Sequence, residues 1–297
     1  MTTQSANTAT IGGDLAVGRL GFGAMRLTGD QVWGEYPRRD AGIALLRSVV
    51  DLGVTFIDTA DVYGPHSNEI LIHDALHPYP PGLVIATKGG FVRGGFDYST
   101  LDAVGNPNYL RQSAHMSARR LGVEQIDLYY LHSGRATDVP FETQIETLAA
   151  LRQEGLIRHV GLSNVTVEQL RLAQAIVEIV AVTAHYHAGV RTGADFLQVC
   201  EEEGMVFSPW HPLSVYEGAN RDQVKEVIEP IARHHDVTAS QVALAWQLQH
   251  SAVSLPIPGT TSLTHLKENL AAQAVRLEPD EVVAITGLVP EHPAGSA

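Results

Sequence analysis

Four ionisable side chains of different types end or follow predicted buried strands: Asp58, Tyr63, Lys88 and His132. A tyrosine with an ordinary pKa of about 10 is a poor acid at neutral pH, but a neighbouring ammonium favours the phenolate and lowers that pKa. We expect Lys88 to supply this cation, Asp58 to keep Lys88 charged and oriented, and His132 to hydrogen-bond a substrate oxygen. Such a tyrosine could protonate an oxyanion as it forms, which carbonyl reduction requires.

Carbonyl reduction also needs a hydride donor, and no amino-acid side chain can serve as one. A nicotinamide cofactor is therefore implied. Taken singly, each of the four residues has an ordinary structural interpretation, such as a helix cap, a solvated lysine or the edge of a core. Together they indicate an active site, because the ends of successive parallel strands lie close in space.

The elements that must position these residues alternate between strands and helices. Apolar, β-branched runs predict eight strands, each followed by a segment with helical spacing of its apolar residues. The predicted strands span residues 20–25, 54–58, 83–88, 126–132, 159–164, 181–187, 205–210 and 253–258. Strands that alternate with helices pair in parallel, and eight such units close into a (β/α)8 TIM barrel of the α/β class.

Two further elements flank the predicted barrel. A hairpin over residues 8–17, with a Gly12-Gly13 turn, would cap its N-terminal end. An extra C-terminal helix is predicted over residues 280–288. A doubly wound sheet is the alternative, but its glycine fingerprint between first strand and first helix is absent. We expect residues 1–297 to form a single barrel domain, with flexible ends at 1–7 and 289–297.

The composition restricts the classes of partner. A formal net charge of -13 disfavours broad binding to nucleic acid or to an anionic membrane surface. No apolar run approaches the roughly 18 residues of a membrane span, and the N-terminus lacks the features of a signal peptide. The single cysteine, Cys200, cannot form an intrachain disulfide, so we expect a cytoplasmic protein. No pattern indicates an oligomeric state.

Seven motifs in order make the chain resemble the aldo-keto reductase superfamily over residues 15–288. They are GFGAMR (21–26), IDTADVYG (57–64), IATKGG (85–90), IDLYYLH (126–132), LRQEGLIRHVGLSN (151–164), SPWHPL (208–213) and IPGTTSLTHLKEN (257–269). The resemblance implies a barrel reductase that uses NADPH to reduce a small-molecule aldehyde or ketone. It also implies a catalytic tetrad, which falls on Asp58, Tyr63, Lys88 and His132.

The same resemblance implies the residues that contact the cofactor. Ser163 and Asn164 would hydrogen-bond the nicotinamide carboxamide, and Trp210 would stack on the nicotinamide ring. Met25 and Asp58 would also lie against the cofactor, and Pro212 and Leu213 would line the pyrophosphate. The adenosine ribose and its 2′-phosphate would be surrounded by Gly259, Thr260, Thr261, His265, Glu268 and Asn269. A helix N-terminus with hydroxyl groups around it suits a phosphate.

Three positions differ from the pattern of many relatives. Thr183 and His187 flank Tyr186, where a glutamine and an asparagine are common. Because threonine is shorter than glutamine, we expect Thr183 to contact the nicotinamide less firmly. His265 stands where a basic residue often holds the 2′-phosphate. We therefore expect NADPH to be preferred over NADH, but with a softer preference.

Two other functions compete with the reductase. A regulatory or sensor protein that binds NADPH with little turnover would fit the changes at Thr183 and His187, although the intact tetrad argues against it. A Schiff-base lyase could use Lys88 as its nucleophile. The neighbouring Asp58 would keep that amine protonated, which is the wrong state for attack.

Two smaller features complete the sequence. Alternating or adjacent histidines at 185, 187, 234 and 235 raise the question of a metal site, but no carboxylate is spaced to complete one, so we predict no metal. The loops at 89–107 and 133–140 belong to no motif. The side chains Phe91, Arg93, Phe96, Tyr98 and Tyr109 could face a substrate or only close the first loop on itself.

Overall fold

Three sheets form within residues 7–216 and 220–289, the part of the chain that this computed structural model describes. The strands are β1 (Thr8–Ile11), β2 (Leu15–Gly18), β3 (Phe22–Gly23), β4 (Phe56–Asp58), β5 (Val84–Gly89), β6 (Phe91–Arg93), β7 (Leu101–Ala103), β8 (Ile126–Leu131), β9 (Ile157–Ser163), β10 (Ile179–His185) and β11 (Val206–Trp210). Strands β3, β4, β5, β8, β9, β10 and β11 form one parallel sheet in that order. The doubly wound alternative is excluded because its strand order would reverse part-way.

The α-helices of the described chain alternate with these parallel strands. They are α1 (Arg39–Asp51), α2 (Ser67–Leu76), α3 (Pro107–Leu121), α4 (Phe141–Gln153), α5 (Val167–Gln174), α6 (Ala194–Glu203), α7 (Arg221–His234), α8 (Ala239–His250), α9 (Leu263–Ala271) and α10 (Pro279–Thr286). Gly122 ends α3 in the left-handed conformation, and threonine capping boxes begin α5 and α8. None of the helices described has both the length and the apolar character that a membrane crossing needs.

Residues 253–258 were predicted as the eighth strand, and that prediction is wrong in detail. The segment is extended but has only one isolated bridge, at Ser254. Pro256 and Pro258 lack an N–H group, so a regular ladder of hydrogen bonds cannot form along it.

This extended segment nevertheless joins the two edges of the sheet. On one side, Leu255 N donates to Phe207 O of β11 at 2.8 Å. On the other, Gly23 N of β3 donates to Pro258 O at 3.2 Å. Residues 253–258 therefore take the place of the eighth strand and close the sheet into the predicted (β/α)8 arrangement. We refer to these residues as the closing segment.

The first parallel strand is also shorter than predicted. Of residues 20–25, only Phe22 and Gly23 are in β3, and a 3₁₀ turn over Ala24–Arg26 follows at once. The backbone of Gly23 packs against Ile257, because a Cβ built on this glycine would lie 2.7 Å from Ile257 O. Close backbone approach is the reason that a glycine is needed here.

The predicted N-terminal hairpin is confirmed. Strands β1 and β2 pair antiparallel, and Gly12 and Gly13 both have the positive φ angles of a tight turn. Asp14 in the turn binds Arg158 and His159 at the start of β9. The inner faces of the two strands pack with residues of the barrel interior, so the hairpin caps the end opposite the strand C-termini.

A second hairpin was not predicted. Strands β6 and β7 pair antiparallel within the segment 89–107, which the sequence indicated only as a loop. It begins directly after β5 and keeps Phe91 buried near the strand ends. The predicted extra helix is confirmed as α10, and Trp246 Nε1 of α8 donates to its Thr286 Oγ1 at 3.0 Å. The predicted flexible ends lie mostly outside the described residues, since 1–6 and 290–297 are not described.

We predict that Gly23→Ala destabilises the protein by about 1–3 kcal/mol, because the new methyl group would force β3 away from Ile257 O. Gly18→Ala is the matched control, since its Cβ would have only an ordinary contact, 3.6 Å from Thr55 Oγ1. Urea denaturation followed by circular dichroism measures both. Equal stability of the two variants would contradict the close approach at Gly23.

Candidate functional site

Asp58 and Lys88 form a buried ion pair at the C-terminal ends of β4 and β5. Lys88 Nζ donates to Asp58 Oδ1 at 2.5 Å and to Thr59 O at 2.9 Å. The exposed fractions of the two residues are only 4% and 3%. The strand register explains the contact, because Asp58 pairs with Ala86, two residues before Lys88 on the same face. The carboxylate thus orients the amine as the sequence predicted.

Tyr63 lies over this ion pair, in the turn between β4 and α2. Lys88 Nζ is 5.5 Å from the centroid of the Tyr63 ring, and that ring is 6.0 Å from the ring of His132. The turn is held by Asn68, which accepts from Thr59 Oγ1 at 2.6 Å and donates to Ala24 O at 2.9 Å. The structure therefore brings all four predicted tetrad residues together.

The pKa of Tyr63 does not shift in the predicted direction. Burial raises it well above its ordinary value, and the negative charge of Asp58 adds to the rise. The expectation of a lowered pKa is wrong for the protein alone, because burial outweighs the Lys88 ammonium, whose charge Asp58 offsets at 2.5 Å. Tyr63 is consequently a protonated phenol at neutral pH, which is the form that can give a proton.

His132 follows β8 and is neutral at physiological pH. Burial lowers its pKa well below the usual value, and the positive charges of Lys88 and Arg135 lower it further. Its Nδ1 atom is buried and has no hydrogen-bond partner among the described residues. The ring packs edge-on against Phe91 of β6, with centroids 4.7 Å apart. A neutral imidazole can donate one hydrogen bond to a carbonyl oxygen.

Behind the tetrad is a buried polar network that sequence reasoning missed. Ser113 Oγ of α3 donates to Asp61 Oδ2 at 2.5 Å. Glu69 of α2, which is fully buried, accepts from Arg120 Nε and from Thr87 Oγ1, both at 2.6 Å. These contacts join α2 and α3 to β5 beneath the turn that carries Tyr63. Asp61 and Thr87 belong to motifs, whereas the other members lie inside amphipathic helices, where polar residues give no sequence signal of burial.

This network perturbs one carboxyl group strongly. Burial, followed by the charge of Glu69, raises the pKa of Asp61 to about 7. The Ser113 hydroxyl and the Arg120 guanidinium oppose the rise. Asp61 therefore changes charge in the physiological pH range, two residues before Tyr63.

The residues predicted to bind the nicotinamide lie at the ends of β9 and β10. Asn164 is exposed and has a left-handed φ of 51°, and its Nδ2 donates to His132 O and to Ser163 Oγ. Thr183 pairs with Ser163 across the sheet and is buried, with Oγ1 lacking a hydrogen-bond partner in the described part of the chain. The three predicted contacts are therefore neighbours, on the barrel side next to His132.

Trp210 ends β11 but does not have both ring faces available. The His185 ring stacks on it at 4.1 Å between centroids, nearly parallel at 5°. A nicotinamide ring could stack on the opposite face, or on this face if His185 moved. The next predicted residues continue the same rim: Pro212 is buried, with its carbonyl oxygen accepting from Gln247 Nε2, and Leu213 is half-buried.

The predicted adenosine site lies between the closing segment (residues 253–258) and the start of α9. Ser262 caps this helix by accepting from His265 N, and Thr260 Oγ1 accepts from Ser262 N. His265 is exposed and Asn269 buried. The remaining predicted residues lie on the same segment, and they are Gly259, Thr261 and Glu268. Met25 follows β3, which lies beside this segment, and it is half-buried in a cluster with Tyr63.

These residues suit a dinucleotide phosphate cofactor. Two of the polar atoms on the nicotinamide side, Thr183 Oγ1 and Trp210 Nε1, are buried and have no hydrogen-bond partner among the described residues. Buried polar atoms without partners are costly, and a bound ligand would satisfy them. At the other end, the capped N-terminus of α9 offers backbone N–H groups and hydroxyls to a phosphate.

The histidines considered for a metal divide into two places. His185 and His187 are at the barrel mouth, with ring centroids 5.0 Å apart. His234 and His235 end α7, and Glu281 of α10 accepts hydrogen bonds from both, at 3.0 and 2.6 Å. The assumption that no carboxylate accompanies this pair is therefore wrong. The three side chains satisfy one another, and the absence of a metal stays a prediction.

The sequence of this chain is similar to those of known proteins over most of its length. The model of the Aldo/keto reductase family matches residues 19–290. An uncharacterised oxidoreductase of Schizosaccharomyces pombe is 44% identical over 268 residues, which cover 90% of this chain and 85% of that protein. Pyridoxine 4-dehydrogenase of Escherichia coli is 37% identical over 290 residues, which cover 96% and 99% of the two proteins.

The fold is shared with solved structures as well. The crystal structure of an aldo/keto reductase from Klebsiella pneumoniae in complex with NADP and acetate has a TM-score of 0.78 and 26% sequence identity to this chain. The match covers 98% of both chains. The fold of this chain is thus one already known for such a reductase.

We predict that Asp61→Asn changes the pH dependence of stability. Because the folded-state pKa is raised, folded Asp61 keeps a proton between about pH 4 and 7 that the unfolded chain releases, so this carboxyl lowers stability as the pH rises. The free energy of unfolding of Asp61→Asn, relative to the native sequence, should therefore rise by roughly 2–3 kcal/mol from pH 5 to pH 8. Urea denaturation at several pH values measures it.

The exposed Asp51 of α1 provides the matched control. Asp51→Asn should leave the relative stability unchanged over the same pH range. Parallel pH curves for Asp61→Asn and the native sequence would contradict the raised pKa.

Proposed function

This chain belongs to the aldo/keto reductase family, and we propose that it reduces aldehydes or ketones to alcohols with the four tetrad residues as its catalytic groups. As a member of that family it is an oxidoreductase of small carbonyl compounds. The observation that carries the proposal is the buried pair of Lys88 and Asp58 with Tyr63 and His132 beside it. NADPH is the proposed cofactor, as in the Klebsiella complex with NADP, and NADH is the weaker alternative.

When bound, the nicotinamide supplies the hydride that no side chain can give. The residues proposed to hold it are Ser163, Asn164, Thr183 and Trp210 at the nicotinamide, Met25 and Asp58 beside it, Pro212 and Leu213 at the pyrophosphate, and Gly259, Thr260, Thr261, His265, Glu268 and Asn269 around the adenosine. The unpartnered buried atoms of Thr183 and Trp210 support this placement. Because His265 is exposed and carries no permanent charge, the preference for NADPH over NADH is expected to be soft.

The protein's own residues divide the proton chemistry between them. His132, kept neutral by burial, donates a hydrogen bond that orients the carbonyl oxygen. Tyr63 is protonated before the reaction and gives its proton to that oxygen as negative charge develops. The phenolate that results would lie near the Lys88 ammonium, whose Nζ is 5.5 Å from the ring centroid. Because a nearby cation favours a phenolate, Lys88 opposes the rise in the Tyr63 pKa that burial causes and thereby assists the proton transfer.

The geometry of Lys88 disfavours the lyase alternative. Its Nζ donates to Asp58 Oδ1 at 2.5 Å and to Thr59 O, and an ammonium paired with that carboxylate has no lone pair for nucleophilic attack. A regulatory protein that binds NADPH with little turnover remains the second candidate, and turnover distinguishes it. We also propose that the chain is one barrel domain and that it acts in the cytoplasm, as its single cysteine suggests.

We predict that the purified protein consumes NADPH, measured by absorbance, when mixed with a panel of aldehydes. Pyridoxine with NADP⁺ tests the reverse direction, because a relative is named for that alcohol. Tyr63→Phe keeps the buried ring but removes the acidic hydroxyl, so kcat should fall by roughly 10²–10⁴-fold.

Cofactor binding serves as the control in this experiment. NADPH should bind Tyr63→Phe with a Kd close to that of the native sequence, measured by isothermal titration calorimetry. Full turnover by Tyr63→Phe would refute the assigned role. Tight NADPH binding without any turnover by the native sequence would favour the regulatory alternative.

A further inference from the structure

A cation lies at the barrel mouth beside the tetrad and has no catalytic role in the reaction described above. Arg135 follows β8 by four residues and is exposed. Its Nε donates to Ser133 Oγ at 3.2 Å, and its Cζ lies 5.4 Å from the centroid of the Phe91 ring. These two contacts fix the direction of the side chain on the site's rim, because the guanidinium face rests on an aromatic ring.

The position of Arg135 relative to the reacting centre follows from its neighbours. Phe91, on which Arg135 rests, packs against His132 with ring centroids 4.7 Å apart. The positive charge is therefore one aromatic ring away from the imidazole that orients the carbonyl. Its field reaches that imidazole, since Arg135 is among the groups that lower the pKa of His132.

Two other cations near this mouth are already engaged. Lys88 is paired with Asp58, and Arg93 donates to the carbonyl oxygens of Gln31, Val32 and Phe96. Arg135 differs from them, because its two terminal nitrogens have no acceptor in the described part of the chain.

The closest acidic residue along the chain does not compensate this charge. The Asp138 carboxylate accepts from the backbone N–H groups of Gly105 and Asn106 at 2.8 and 2.9 Å. The guanidinium of Arg135 thus has no ion-pair partner among the described residues, although the chain has a net charge of -13. The free edge of this guanidinium, which carries its two terminal nitrogens, matches the paired oxygens of a carboxylate or phosphate.

We infer that Arg135 binds an anionic group of the substrate, so that the preferred carbonyl compounds carry a carboxylate or a phosphate about one aromatic ring away from the reacting carbon. The inference rests on the proposed reductase function and specifies its substrate class. The alternative is that Arg135 only packs on Phe91. A packing role would alter neutral and anionic substrates equally, whereas an anion site alters only the charged ones.

The test compares 4-carboxybenzaldehyde with its uncharged methyl ester, methyl 4-formylbenzoate, at saturating NADPH. Arg135→Gln should raise KM for the carboxylate by about tenfold, the size expected for losing a charge-assisted hydrogen bond. KM for the ester and kcat for both should stay within about twofold. Arg135→Lys should give an intermediate KM, because it keeps the charge but loses the paired N–H geometry.

Arg233→Gln is the control for net charge, since Arg233 is exposed on α7. It should leave KM unchanged for both substrates. A third aldehyde, 4-formylphenyl phosphate, distinguishes carboxylate from phosphate recognition. If Arg135→Gln raises KM for only one of the two anionic aldehydes, the anion of that aldehyde is the group recognised. If it raises KM for both, Arg135 forms a general anion site. Equal changes for acid and ester, or no change for any anion, would overturn the inference.

A direct binding measurement keeps this inference separate from the reductase proposal. Benzoate titrated into the protein with NADP⁺ should bind about tenfold more weakly to Arg135→Gln, whereas benzamide should bind both alike. Binding of benzoate that depends on Arg135, together with no aldehyde turnover, would count against the reductase and support the anion site. Aldehyde turnover together with benzoate binding that does not depend on Arg135 would support the reductase and contradict the anion site.

Discussion

The buried ion pair between Lys88 and Asp58 is the constraint on which the site depends. Two charges removed from water are tolerated only when they compensate each other and their remaining hydrogen-bonding groups are satisfied. At the ends of two neighbouring strands, Lys88 Nζ donates to Asp58 Oδ1 at 2.5 Å and also to Thr59 O, so both conditions are met. Either charge alone would be strongly unfavourable, so β4 and β5 must stay in register for the site to exist.

This pairing also decides the protonation states around it. Because Asp58 offsets the lysine charge, burial outweighs the effect of that charge on the Tyr63 pKa and keeps the residue a phenol. His132 is kept neutral by the same low-dielectric surroundings. A site built this way holds a proton donor and a neutral hydrogen-bond donor ready at neutral pH.

The sequence predicted the repeated elements and the proximity of the four tetrad residues, because apolar periodicity and motif position are local properties. It failed where tertiary contacts decide. The closing segment at 253–258 has the composition of a strand, but Pro256 and Pro258 prevent a regular ladder of hydrogen bonds with the neighbouring strands. The direction of the Tyr63 pKa depends on a charge balance that no spacing encodes. The buried partners Glu69 and Arg120 sit in helices whose sequence gives no sign of their burial.

The coupling between the two charges of the ion pair can be measured in a double-mutant cycle of Asp58→Asn, Lys88→Met and the double variant. The measured quantity is the rate of NADPH oxidation in a single turnover with a saturating aldehyde. If the pair acts as one unit, each single change slows hydride transfer severely and the double variant is hardly slower than the worse single variant. Independent, additive losses, or a rate in Lys88→Met equal to that of the native sequence, would contradict the role assigned to the pair.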